Sequence, residues 1–149
     1  MPVYKHGVSL DDSFKNGAPV SKIVHYGNVA WERLSTTYDV VLSIVYSAGA
    51  YILANGTRTA TVTVTRKTYI NGVYQSGSDV VVDADSTSVV SQPSGCNFSI
   101  TRTGTGTYTI SASSRGSAYN MDTEAVLGFS YTPPAGSIIN KTISVYQES

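Results

Sequence analysis

Thr57-Arg58-Thr59-Ala60-Thr61-Val62-Thr63-Val64-Thr65-Arg66-Lys67-Thr68-Tyr69 is the longest regular stretch of the chain. Successive side chains of an extended backbone point to opposite faces. Thr59, Thr61, Thr63 and Thr65 therefore make a polar face, and Ala60, Val62 and Val64 an apolar one. Thr and Val are β-branched, stiff at their first torsion and suited to a pleated surface. On a helix the same residues would scatter around the circumference. A strand with one wet face must bury the other against a second layer. The remainder of the chain is expected to supply that layer.

The composition agrees. The chain has 18 Val, 9 Ile and 17 Thr against 5 Leu and 11 Ala, so sheet formers far outnumber good helix formers. At 149 residues it is long enough for one domain with an appendage, and a chain of this size hides about 70% of its unfolded surface without covalent staples. Ten basic and ten acidic residues are spread along it, with no basic stripe of the kind nucleic acid requires. No apolar run approaches the roughly 18 residues of a membrane span. The start, Met1-Pro2-Val3-Tyr4-Lys5-His6, lacks the apolar core of a secretory signal. Cys96 is the single cysteine, so no intrachain disulfide is expected, and it reads as a small, partly buried residue.

Taken in order, residues 1–37 differ from the rest. Asn16-Gly17 is a turn signal, since both residues tolerate positive φ, and Pro19 follows it. Val20 to Arg33 predicts a hairpin turning at Gly27-Asn28. That register pairs Tyr26 with Val29, His25 with Ala30 and Val24 with Trp31. It gathers Val24, Tyr26, Val29 and Trp31 on one apolar face. An isolated hairpin is marginal in water, so this face needs a cover. Ser35-Thr36-Thr37 reads as a polar joint that lets the following domain project. From Tyr38 the chain predicts seven or eight short strands in two packed antiparallel sheets. Ile52 to Gly56 leads into the Thr/Val strand. Asn71-Gly72 marks a tight turn. Asn97–Thr103 and Thr107–Ser113 form a hairpin whose loop pairs Arg102 with Tyr108, Ile100 with Ile110 and Phe98 with Ala112. The expected core holds Val62, Val64, Ile100, Ile110, Leu127 and Phe129.

Two stretches resemble known families. Asn16-Gly17-Ala18-Pro19-Val20-Ser21-Lys22-Ile23-Val24-His25-Tyr26-Gly27-Asn28-Val29-Ala30-Trp31-Glu32 resembles an N-terminal module of bacteriophage virion proteins, of the pattern NG-x-x-V-x-x-I-x-x-x-G-x-x-x-W-E. The family has an aromatic followed by Asn-Gly where this chain has Tyr26-Gly27-Asn28, which changes the turn type. Ile52-Leu53-Ala54-Asn55-Gly56-Thr57 and the strand after it are similar to the start of bacterial Ig-like domains, which carry an Ala-Asn-Gly turn before an alternating Thr/Val strand. These resemblances imply an N-terminal attachment segment over 1–37 and an Ig-like β-sandwich over 38–149. They imply a virion protein made in the bacterial host cytoplasm, present in multiple copies per particle. Its partners would be major capsid or tail subunits.

The chemistry-bearing groups do not assemble into a catalyst. Asp83-Ala84-Asp85-Ser86-Thr87 matches the D-x-D-x-T nucleophile motif of a phosphatase superfamily, but that chemistry needs a parallel α/β sheet that this composition does not predict. With Asp79 the pair offers oxygen ligands for Ca²⁺ but lacks the Gly and distal Glu of an EF-hand loop. His6, near the terminus, and His25, on the hairpin, are the only histidines and read as exposed residues without a role. No cofactor and no metal site are expected. Loops at the ends of a sandwich commonly carry its binding, and Arg115, Tyr119 and Asn120 in the irregular 114–122 stretch form a candidate contact patch. The expectation is a non-enzymatic structural protein, first a capsid decoration or auxiliary head protein. A tail or tail-fibre adaptor is the second reading. A carbohydrate-binding Ig-like adhesin module, touching host surface glycans, is the third.

Overall fold

The alternating stretch is a strand with the two faces that its pattern demands. In the computed structural model Ala60–Ile70 is extended, Ala60, Val62 and Val64 are fully buried, and Thr61, Thr63 and Thr65 opposite them are half-buried. The structure describes residues 34–53, 58–113 and 123–148, and before them strand segments only. The chain divides into two units, Met1–Thr36 and Thr37–Ser149.

Among its described residues the first unit contains three two-stranded antiparallel pairs. β1 (Tyr4–Lys5) pairs with β2 (Val8–Ser9), β3 (Phe14–Lys15) with β4 (Ala18–Pro19), and β5 (Lys22–His25) with β6 (Asn28–Glu32). Lys15 faces Ala18, as the Asn16-Gly17 signal requires. The β5–β6 register departs from expectation. His25 pairs with Asn28 and Val24 with Val29, and a bulge then sets Ile23, not Val24, opposite Trp31. With His25 paired to Asn28, the turn does not fall at Gly27-Asn28 as expected, because Asn28 is itself a paired strand residue. Ala30 is the extra residue of the bulge, which a strict alternation cannot foresee.

Among the described residues the second unit has ten strands: β7 (Thr36–Tyr46), β8 (Ile52–Leu53), β9 (Ala60–Ile70), β10 (Val73–Tyr74), β11 (Val80–Val81), β12 (Ser86–Ser91), β13 (Phe98–Gly104), β14 (Thr107–Ala112), β15 (Thr123–Tyr131) and β16 (Ile139–Glu148). No helix occurs among the described residues. One sheet holds β7, β9, β10, β11, β13 and β14; the other runs β12-β15-β16-β8. β9 is the centre of the first. Its Val64 receives a bond at its carbonyl from the Val82 N–H and donates its own N–H to the Gly106 carbonyl. Thr59, of opposite parity, accepts from the Ser47 N–H at the end of β7. Residues of one parity turn their N–H and C=O to one edge of a strand, so β7 lies on one side of β9 and β14 and β11 on the other. Read as β7-β9-β14-β13 and β12-β15-β16-β8, the order is the ABED and CFG arrangement of a constant-type immunoglobulin sandwich. The closing strand β16 is flanked by the parallel β8.

Both sheets contribute to one core. Val40, Ala60, Val62, Val64, Phe98, Tyr108, Ile110 and Ala112 come from the first, and Ile52, Ala125, Leu127, Phe129 and Val145 from the second. The Tyr108 and Phe129 rings meet edge-to-face across the layers at 5.4 Å. Cys96 is buried and reduced among them. Ile100, expected in the core, is only half-buried: β13 is the outermost strand of its sheet, and of its inward row Phe98 is the residue that is buried. Ile52 does not lead β9 within one sheet. It crosses to the other layer and pairs with Gln147. The polar joint is shorter than expected, since Thr36 and Thr37 already belong to β7. The β13–β14 pairing is the expected one, Phe98 to Ala112, Ile100 to Ile110 and Arg102 to Tyr108, with an added bulge at Thr103. At Asn71-Gly72 both residues have positive φ (49° and 78°), as a two-residue hairpin turn requires.

Candidate functional site

The residues proposed from sequence fall in three places. Val24 and Val29 form a cross-strand pair in β5–β6 and Trp31 stands opposite Ile23, while Tyr26 lies outside the described residues. Arg115, Tyr119 and Asn120 also lie outside them. The Asp79–Asp85 segment is fully described, and its three carboxylates point to three different tasks.

Asp83 is a buttress. Its two oxygens accept from Arg102 Nε and Nη2 at 2.8 and 2.9 Å, and Oδ1 also accepts from the Gly106 N–H at 2.7 Å. The Arg102 guanidinium first, and the Gly106 amide second, hold its carboxyl below the usual carboxylate range. Gly106 has φ +59°, and a Cβ there would overlap Val81 Cγ1 and sit 2.7 Å from the Val82 carbonyl oxygen. The β13–β14 turn is thus pinned against β11. Asp85 Oδ2 accepts from the Thr132 N–H at 2.6 Å and its own N–H donates to the Ser130 carbonyl at 2.8 Å, tying the loop to β15. Asp79 accepts from Lys67 Nζ and from the Tyr74 hydroxyl, both at 2.7 Å. Lys67, then Tyr74, lower its pKa. An Asp83 nucleophile would need a free oxygen and a magnesium ion beside Asp85; here both Asp83 oxygens are engaged and Asp85 faces the backbone of β15. Among the described residues no group of three or more His, Cys, Asp or Glu is placed to hold a metal.

Two aromatic–cation clusters escaped the sequence reading. On the outer face of β9, Tyr69 and Tyr74 pair across strands at 5.7 Å, and Lys67 Nζ lies 4.7 Å from the Tyr74 ring centre. On the inner row, after Ala60, Val62 and Val64, comes Arg66. Its guanidinium stacks 5.1 Å from the Tyr38 ring, Nη1 donates to the Tyr131 hydroxyl at 3.3 Å, and Nε is buried without a partner among the described residues. The signal was present in the parity of Arg66, which continues the apolar row of β9. A further ion pair, Lys141 Nζ to Asp39 Oδ1 at 2.8 Å, joins the two sheets along their β7–β16 side, where the Tyr146 N–H also donates to the Tyr46 hydroxyl at 3.2 Å.

No family model matches the chain, and neither the curated proteins nor the solved structures contain a match to it. What the fold gives is an architecture: an all-β, two-sheet sandwich preceded in the chain by a unit of small strand pairs.

Proposed function

We propose that the protein is a non-enzymatic bacteriophage virion component, a capsid decoration or auxiliary head protein held to a neighbouring subunit through residues 1–37. The observation that carries this reading is the division of the chain. Residues 1–36 form a unit of two-stranded pairs, and residues 37–149 a second unit in which both sheets contribute to a core. Two-stranded pairs are marginal by themselves in water, so such a unit calls for a partner surface. Its sequence resembles the N-terminal module of virion proteins, and Trp31, with Val24, Tyr26 and Val29, supplies the large apolar side chains that commonly dominate an interface. The acidic segment that came nearest to a catalytic motif is consumed by structural contacts, which favours a binding over a catalytic role.

The test is Trp31→Ala in the full chain. Losing a buried Trp costs about 3–5 kcal/mol wherever it is buried. An attachment role predicts that incorporation into particles drops while the sandwich melts as in the wild type. A mutant whose sandwich itself unfolds, with normal particle incorporation of whatever remains folded, rejects the attachment role.

A further inference from the structure

We propose that the first unit is a tandem array of three ten-residue hairpins, and that this array pairs with the array of a second copy of the chain. The three strand pairs share one register. Tyr4 faces Ser9 and Lys5 faces Val8; Phe14 faces Pro19 and Lys15 faces Ala18; Val24 faces Val29 and His25 faces Asn28. Each set lies ten residues after the one before it. Between the innermost partners the sequence reads His6-Gly7, Asn16-Gly17 and Tyr26-Gly27, so glycine recurs at the same place in each repeat. An apolar or aromatic residue precedes a basic one in every first strand: Tyr4-Lys5, Phe14-Lys15 and Val24-His25. Unrelated loops do not keep position, pairing and residue type in step three times over. Repeated units that are marginal alone gain stability from neighbours of their own kind. Among the described residues these three do not bond to one another, since each pair is its own two-stranded sheet. Partners joined across two intervening residues exchange backbone bonds, so the next pair outward turns its N–H and C=O groups to the free edges. The first-strand edge then carries Tyr4, Phe14 and Val24, and the second-strand edge Ser9, Pro19 and Val29. Pro19 has no N–H to give and interrupts the second edge, as proline does on strands kept from pairing. The first edge is complete in all three repeats. One such edge is too short to hold a partner, but three at equal spacing act together. The surface that matches a ten-residue rhythm is the same rhythm in another copy. A two-fold dimer sets the second repeat against itself and exchanges the first with the third. The contact uses backbone groups, so it operates whether or not side chains of the same unit attach the protein to a particle.

Sedimentation velocity of the full chain over a range of concentrations tests this without particles. The chain is expected to sediment as a dimer that dissociates on dilution. A chain lacking residues 13–22 keeps the rhythm and loses one contact, and Phe14→Pro removes the outward N–H of the second repeat. Each is expected to raise the dissociation constant about tenfold, the worth of one or two backbone hydrogen bonds. Phe14→Val keeps that N–H, and Ser9→Pro blunts the edge that Pro19 already interrupts; both are expected to leave the dimer as it is. A full chain that stays monomeric at every concentration overturns the proposal. So does a dimer that survives both the deletion and Phe14→Pro, or one that Ser9→Pro weakens as much as Phe14→Pro does.

Discussion

Asp83 shows how one exposed side chain can organise a turn. Its oxygens hold the Arg102 fork and the Gly106 amide together, and the result is a glycine turn seated where no Cβ fits. Both partners are well exposed, so salt screening weakens the pair and its Coulomb part is modest. The carboxyls of Asp39, Asp79 and Asp83 all titrate below their ordinary value, chiefly through Lys141, Lys67 and Arg102 in turn. For a carboxyl with a depressed folded pKa, the stabilisation is complete above the unfolded value of about 3.9 and is lost as pH falls through the folded value. Asp83→Asn is therefore expected to lower the melting temperature at neutral pH, with the gap to the wild type closing as pH falls below about 4. Thermal melts at pH 7, 5 and 3 check this; a gap that widens in acid contradicts the assignment.

At the scale of elements, depth within the sheets sets the cost of truncation. Leu127 on β15 is fully buried between β12 and β16, whereas Ile100 on the outer strand β13 is half-covered. Leu127→Ala is expected to cost about 2–5 kcal/mol and Ile100→Ala clearly less, by denaturant unfolding. The sequence alone had ranked the two alike, because alternation reports which face a residue is on and is silent about how near the strand is to an edge. The same limit explains other outcomes. The β13–β14 register was legible because Gly104, Thr105 and Gly106 mark the turn and the apolar residues then align. β8 was misplaced because two residues, Ile52 and Leu53, have no period to read. The β5–β6 register slipped at Ala30, where a bulge breaks the count. Arg66 shares the parity of Ala60, Val62 and Val64, but a charged residue at the end of an apolar row reads from sequence as the point where the buried face stops.

At the scale of the molecule, the sandwich carries a full core from both of its sheets, and the preceding unit is a set of short pairs. A fragment beginning at Leu34 keeps all of β7 and is expected to melt cooperatively within a few degrees of the full chain. Calorimetry of the fragment and the full chain decides; a fragment that fails to fold shows that the first unit completes the core. In the first unit the β5–β6 hairpin and the Asn16-Gly17 turn were legible in the sequence, whereas the β1–β2 pair was not, since strands of two residues leave no alternation to read.

The parallel pairing of β8 with β16 sets Ile52 beside Gln147 and Leu53 beside Glu148, whereas β15 and β16 are joined as a hairpin. Tension pulling the chain ahead of β8 against the chain behind β16 draws these two strands past each other along their length. Their bonds are then loaded together and must rupture at once, while a load across the β15–β16 turn would peel that ladder one rung at a time. The sandwich should thus yield at higher force when stretched from its two ends than when Tyr131 and Ile139, the paired residues flanking the β15–β16 turn, are pulled apart, a difference single-molecule pulling can read. For a protein fixed at one side and dragged at the other, the strand direction at one short contact decides the load it survives.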